Sequence, residues 1–270
     1  MVTYDIRVRQ DKLLEILLAI DKVCKAHHLR YYIMAGTMLG AVRHSGFIPW
    51  DDDADIGIPR ADYEQLIAHA KEWFPEQYEF VCGENDTDYP LPFGKIQDAR
   101  TTLIERASIM YVGGVYVDIF PLDGVPTGKI AQQIHFAQYQ FYKKLLFFLF
   151  RNPYKHGKGP RSWVPLLCRK VTTRSKVQRR IRQLLTKYDF DNQSLIADYD
   201  DGSKGIMDKQ ILGTPIPVRF CGKELLGVEQ SDAYLKQKYE DYMTIPKQEH
   251  RKKHQCFYLD MDMPYKEYKA

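Results

Sequence analysis

The chain has 270 residues, 44% of them hydrophobic, and a formal charge of +4 from 39 Lys and Arg against 35 Asp and Glu. That is enough apolar side chain to bury a sizeable core, and it excludes a disordered tail or a disulfide-stapled mini-domain. The five cysteines, Cys24, Cys82, Cys168, Cys221 and Cys256, stand singly, which speaks against a disulfide framework or a cysteine zinc site and suits a reduced, cytoplasmic setting.

The first residues carry early charges and no small-residue cleavage site, so no signal peptide is expected. Leu13, Leu17, Ile20 and Cys24 recur at helical spacing and predict an amphipathic helix over about residues 8 to 27. Short β-rich runs follow at 31–35, 54–58, 78–82, 93–96, 102–105 and 115–120, with a short helix from Met38 to Arg43 and another from Asp62 to Phe74, near whose start Pro59 lies. Residues 1–125 therefore read as an α/β catalytic core. After Pro126 the pattern turns helical, over 130–151 and 164–188, with Asn152-Pro153 and Gly157–Pro160 as breakers. A strand near Pro215 and Pro217 and a short helix at 232–239 complete a C-terminal segment, 191–270, expected to fold back on the core.

The small net charge hides a segregation. From Gly124 to Tyr188 there is no Asp or Glu, while fifteen Lys and Arg fall in that stretch, leaving the rest of the chain at −11. Residues 126–190 thus form a basic helical subdomain that calls for an anionic partner, polymer or lipid. The apolar block Leu145 to Phe150 is far short of the ~20 residues of a spanning helix. Its phenylalanines beside the cations suggest peripheral contact with the inner face of a membrane instead.

The densest chemistry lies in Asp51-Asp52-Asp53-Ala54-Asp55. Like charges this close repel, and a divalent cation is the simplest neutraliser. If the strand begins here, Asp53 and Asp55 project to one face while Ala54 points inward. Oxygen ligands without a His or Cys set favour Mg²⁺ or Mn²⁺. Asp118, alone in the apolar run Val115 to Phe120, is the natural third ligand and candidate general base; an ion pair with Lys or Arg is the other reading of a lone buried acid. Upstream, Gly36-Thr37 sits between strand and helix, where a bare backbone and a hydroxyl suit phosphate oxygens. Lys95 reads as an edge-strand charge or a candidate phosphate contact, Asp51 and Asp52 are expected to orient the loop, and Trp50, Tyr89 and Tyr116 lie near the site in sequence. His250 and His254 are spaced i,i+4 around Arg251–Lys253, a cationic setting that disfavours a metal.

The run Gly36-Thr-x-Leu-Gly40, then Arg43-His-x-Gly-Phe-Ile-Pro-Trp-Asp-Asp-Asp-x-Asp55, resembles the LicD family of phosphotransferases, which includes the fukutin-like enzymes. The likeness continues through Phe93–Ile96 with Asp98 and Val117–Asp123, and more weakly through Tyr239 to His254. It implies a nucleotidyltransferase-like mixed sheet with flanking helices. It also implies transfer of a phosphorylated alcohol, often phosphocholine from CDP-choline or another CDP-alcohol, to a sugar hydroxyl of a teichoic acid or other lipid-linked glycan precursor. Carried onto this chain, the catalytic and metal set is Asp53, Asp55 and Asp118, with Gly36, Thr37, Arg43, Lys95, Trp50 and Asp52 around the substrate. Two other readings stay open: a nucleotidyltransferase using an NTP, and a binding protein on an inactivated transferase fold. No nucleic-acid partner is expected, since no RNA-recognition motif is present.

Overall fold

The computed structural model describes residues 4–109, 111–155, 157–251 and 256–269; His254 lies outside them. The amphipathic stripe at the N-terminus forms helix α1 (Ile6–Ala26), capped by the Asp5 carboxylate, which accepts from the Arg7 N–H, and it buries Leu13, Ile16, Leu17, Ile20 and Cys24. Strand β1 (Tyr32–Ile33) leads into α2 (Ala35–His44), then β2 (Asp55–Pro59), α3 (Arg60–Trp73) and β3 (Tyr78–Val81). The two runs at 93–96 and 102–105 are one strand, β4 (Gly94–Ile104), whose register shifts between Asp98 and Leu103. Its polar middle mimics a loop in sequence, yet Thr101 donates to the Asp98 carbonyl at 2.8 Å and Asp98 accepts from the Arg100 N–H at 3.0 Å, so the bulge is closed by its own side chains.

Strand β5 (Gly113–Gly124) is the centre of the molecule. Helices α4 (Lys129–Phe150), α5 (Pro160–Val171) and α6 (Arg174–Leu185) follow. The helix expected over 164–188 is broken at Thr172-Thr173, where Thr173 caps α6. The remaining chain supplies β6 (Leu195–Asp198), β7 (Ile206–Asp208), the short α7 (Lys209–Leu212), β8 (Ile216–Phe220), β9 (Lys223–Gly227), α8 (Ser231–Tyr239) and β10 (Tyr258–Asp260). The β8–β9 hairpin turns on Cys221 and Gly222, both at positive φ, the geometry that matches strand twist in a two-residue loop.

Among the described residues the strands form one ten-stranded mixed sheet whose main path runs β10-β4-β5-β2-β1-β9-β8. Residues 191–270 therefore extend the same sheet as the N-terminal part: β9 pairs with β1, β10 with β4 and β6 with β5. One face carries the main core. Val115, Val117 and Ile119 of β5, Ile96 of β4 and Ile56 and Ile58 of β2 cluster there with the apolar side of α1 and with α3. The alternation of strand side chains sends Lys95, Tyr116, Asp118 and Asp55 to the opposite face. A second cluster joins α4 and α6 to Val125, Ala197 and Tyr199.

The basic helices spend part of their charge on the core. Arg182 binds Glu64 at 2.6 Å, Lys143 pairs with Asp200, and Arg174 pairs with Asp88 while covering the Phe150 ring at 4.3 Å. Phe150 is buried, so the patch expected from the phenylalanine run lies partly inside the molecule.

Candidate active site

Asp55 opens β2, and Asp118 sits in the parallel neighbour β5 directly opposite it in register. Paired residues of adjacent parallel strands share a face, so the backbone alone brings these two carboxylates together. Asp118 also makes a hydrogen bond across the pair, its N–H donating to the Ala54 carbonyl at 2.9 Å. Ala54 is buried, as the inward position requires. Asp53 lies two residues before the strand rather than within it, so its place near Asp55 comes from the loop and not from strand alternation. Its charge nonetheless bears on both partners.

The electrostatics follow from this geometry. Burial, then repulsion from Asp53 and Asp118, push the Asp55 carboxyl well above the usual carboxylate range, against the pull of Lys238. Burial pushes Asp118 up to about 7, with Lys95 opposing and Glu105, Asp53 and Asp200 adding to the rise. Its Oδ1 is buried with no hydrogen-bond partner. An unsatisfied anionic oxygen beside a second carboxylate fits a hard divalent cation. Among the described residues no group of three or more His, Cys, Asp or Glu side chains forms a finished metal site; the fitting donors are Asp55 and Asp118, with Asp53 the nearest further acid in sequence.

Gly36 and Thr37 lie in the first turn of α2 rather than in a turn before it. The Thr37 hydroxyl accepts from the Asp55 N–H at 2.8 Å, tying helix to strand and leaving its own proton to donate. A Cβ on residue 36 would fall 2.8 Å from the Asp51 carboxylate, so the glycine is what admits that loop. Ala35 holds φ +46, and its N–H donates to the Tyr234 hydroxyl at 2.9 Å, a strained position fixed from α8.

Lys95, opposite Asp118 on β4, is buried. Its ammonium lies 3.2 Å from Glu105, 3.8 Å from Asp118 Oδ1 and 3.1 Å above the Tyr116 ring. It joins the carboxylate site, as its sequence position suggests. Arg43 does not: at the far end of α2 it donates to the Tyr242 carbonyl at 2.7 Å and to His44 at 3.0 Å, clamping the C-terminal segment. Asp52 is buried against Arg9 at 2.9 Å and accepts from Tyr4, which makes it a loop anchor. Trp50 carries Arg251 over its ring at 4.1 Å.

A cavity of about 300 Å³ opens between the β4–β5 face and α4. Asp118, Lys95, Glu105 and Tyr116 line it from the sheet, Tyr89 and Tyr111 from loops, and Lys143 and Phe147 from α4; Asp200 closes one side, whereas Trp50 is not part of its wall. Two contributors were missed in the sequence. Asp200 belongs to Asp198-Tyr-Asp-Asp201, an acidic run at a strand end much like 51–55, which was the available signal. Lys238, one helical turn from Tyr234, pairs with Asp201 and offsets the charge of Asp55; nothing local in the sequence distinguishes it from Lys236, the other lysine of α8.

Residues 28–155 match the family described as LicD/FKTN/FKRP, nucleotidyltransferase domain. The lipopolysaccharide cholinephosphotransferase LicD of Haemophilus influenzae is 30% identical over 263 residues, covering 92% of this chain and 95% of that protein. A 36-residue stretch is 50% identical to the ribitol 5-phosphate transferase FKRP of Homo sapiens, covering 13% of this chain and 7% of that protein. An uncharacterized Rickettsia typhi protein, RT0683, is 39% identical over 69 residues, 23% of this chain and 22% of its own length.

Proposed function

Since the chain belongs to the LicD family, a family of phosphotransferases, we propose that it moves phosphocholine from CDP-choline to a sugar hydroxyl of a teichoic acid or lipopolysaccharide precursor, with CMP as the leaving group. The observation that carries this reading is the register pairing of Asp55 with Asp118, the second of which stands in the wall of an aromatic and acidic cavity.

The acceptor hydroxyl oxygen attacks the phosphorus that bears choline, the bond from that phosphorus to the CMP oxygen breaks, and its electron pair leaves on CMP. Asp118, the carboxylate in the cavity wall, takes the hydroxyl proton. Asp55 and Asp118 would hold Mg²⁺ or Mn²⁺, with Asp53 able to join them, and such an ion supplies charge neutralisation for the diphosphate. Thr37 donates its hydroxyl to a phosphate oxygen at the N-terminus of α2, and Lys95 and Lys238 balance the added negative charge. A quaternary ammonium offers no hydrogen bonds and needs aromatic faces and acids. Lys95 already occupies the Tyr116 face, so Tyr89, Tyr111 and Phe147, with Glu105 and Asp200, are the groups left to receive choline.

Incubation with Mg²⁺, a glycan acceptor and CDP-choline, CDP-ribitol or CTP in turn tests the reading. Release of CMP from CDP-choline, lost with EDTA and regained with Mn²⁺, is expected. Release of pyrophosphate from CTP alone would overturn it in favour of a nucleotidyltransferase, and preference for CDP-ribitol would reassign the alcohol.

A further inference from the structure

Helix α5 presents its apolar side to solvent. Trp163, Val164, Leu167 and Val171 are 66%, 48%, 62% and 74% exposed. At 100° per residue they fall within an arc of about 100°. The opposite side of the helix turns inward, with Ser162 and Pro165 buried and Cys168 against the second core. A soluble helix normally does the reverse, and a contiguous exposed apolar stripe marks an interaction surface.

Charge selects the partner. Lys158, Arg161 and Lys170 are exposed on and beside this helix, inside the stretch 124–188 that contains no acid. Unlike Arg174 and Arg182, none of the three is drawn into an ion pair with the core among the described residues. A second copy of the same face would bring cation against cation, which association disfavours. A nucleic acid would use the charge and leave the apolar stripe in water. An anionic lipid surface satisfies both, taking Trp and Leu into the headgroup boundary while the lysines stay among the phosphates. Among the described residues no helix is long and apolar enough to cross a membrane, so the helix would lie in the interface.

We infer that α5 is an interfacial anchor that docks this protein on an anionic lipid bilayer through Trp163, Leu167 and Val171, with Lys158, Arg161 and Lys170 as its electrostatic rim. This is independent of the transfer chemistry: α5 contributes nothing to the carboxylate site, and α4, on which it packs, connects the two.

The test is co-sedimentation of the full chain with vesicles of phosphatidylglycerol mixed with phosphatidylcholine, and with phosphatidylcholine alone, without donor or metal. Binding to the anionic vesicles, weakened by salt and accompanied by a blue shift of tryptophan emission, is expected. Trp163→Ser with Leu167→Ser, and separately Lys158→Glu with Lys170→Glu, should each weaken binding by about tenfold or more at an unchanged melting temperature. The first pair should also abolish the blue shift. Absence of wild-type binding, equal binding to neutral vesicles, or full binding by both double variants would overturn the inference. So would a dimer in sedimentation that the Trp163 and Leu167 changes dissolve, since the face would then belong to a second copy.

Discussion

At the scale of single residues, the sharpest consequences concern carboxylates held against their preference. Asp55→Asn and Asp118→Asn should each lower transfer by roughly three orders of magnitude or more, because each removes a carboxylate that would hold the cation and Asp118→Asn also removes the proton acceptor. Yet in metal-free buffer their melting temperature should equal or exceed that of the parent, since each change removes a crowded buried charge. Turnover and thermal denaturation of the same samples separate the two effects. Asp198 gives a pH signature. Burial holds its carboxyl at about 7, despite Lys238, whereas an unfolded chain titrates near ~4. Between those values the folded state keeps a proton that the unfolded state has released, so its contribution is full below about 4 and is lost as pH rises through about 7. Asp198→Asn should flatten that slope, with the melting temperature at pH 8 rising by a few degrees relative to pH 5 when compared with the parent. That Asp55 and Asp118 lie on neighbouring strands was legible in sequence because acids within apolar runs demand an explanation, whereas the place of Asp53 was argued from a strand that begins only at Asp55. Arg43 stands at the opposite end of α2 from Gly36 and Thr37, since proximity in sequence to a glycine carries no information about which end of a helix faces the cleft.

Among elements, α1 and α8 brace the site from outside the segment that contains it. Arg9 of α1 reaches the buried Asp52, so Arg9→Met should cost about 3–5 kcal/mol by stranding that charge. Adding Asp52→Asn should recover most of the loss, as read by denaturant unfolding. From α8, Tyr234 receives the Ala35 N–H. Tyr234→Phe leaves that donor unsatisfied at a strained residue, a cost of about 1–3 kcal/mol, and should raise the KM for the CDP-alcohol more than it lowers stability; steady-state kinetics beside a melting curve decide this. Helices α1, α3 and α4 and strands β2, β3 and β5 were readable because their apolar spacing is uninterrupted. Strand β4 was split by polar residues that turn out to close a bulge, and β6, β7 and β10 are too short for periodicity to register. The pairing of β9 with β1 is a long-range contact that no local pattern encodes.

For the whole molecule, the sheet ties both ends of the chain together. Deleting residues 191–270 would strip β6, β9 and β10 from β5, β1 and β4, so the truncated chain should lose cooperative unfolding and aggregate from its bared edges; calorimetry and size-exclusion chromatography would reveal it. The charge asymmetry was plain in the sequence, but which cations are spent internally on Glu64, Asp88 and Asp200 depends on how the helices dock, and the exposed apolar stripe on α5 emerges only once the opposite side is seen to be buried.

The pairing of Asp55 with Asp118 has one more implication. Their separation is inherited from interstrand spacing, not from the conformation of the long excursion that joins them. Natural variation or laboratory grafting within the loop at 82–93, which carries Tyr89 to the cavity, could therefore re-tailor substrate preference while the reactive geometry stays constant. A single inserted residue inside either strand, by contrast, would turn one of the acids to the wrong side of the sheet and silence the enzyme at a stroke.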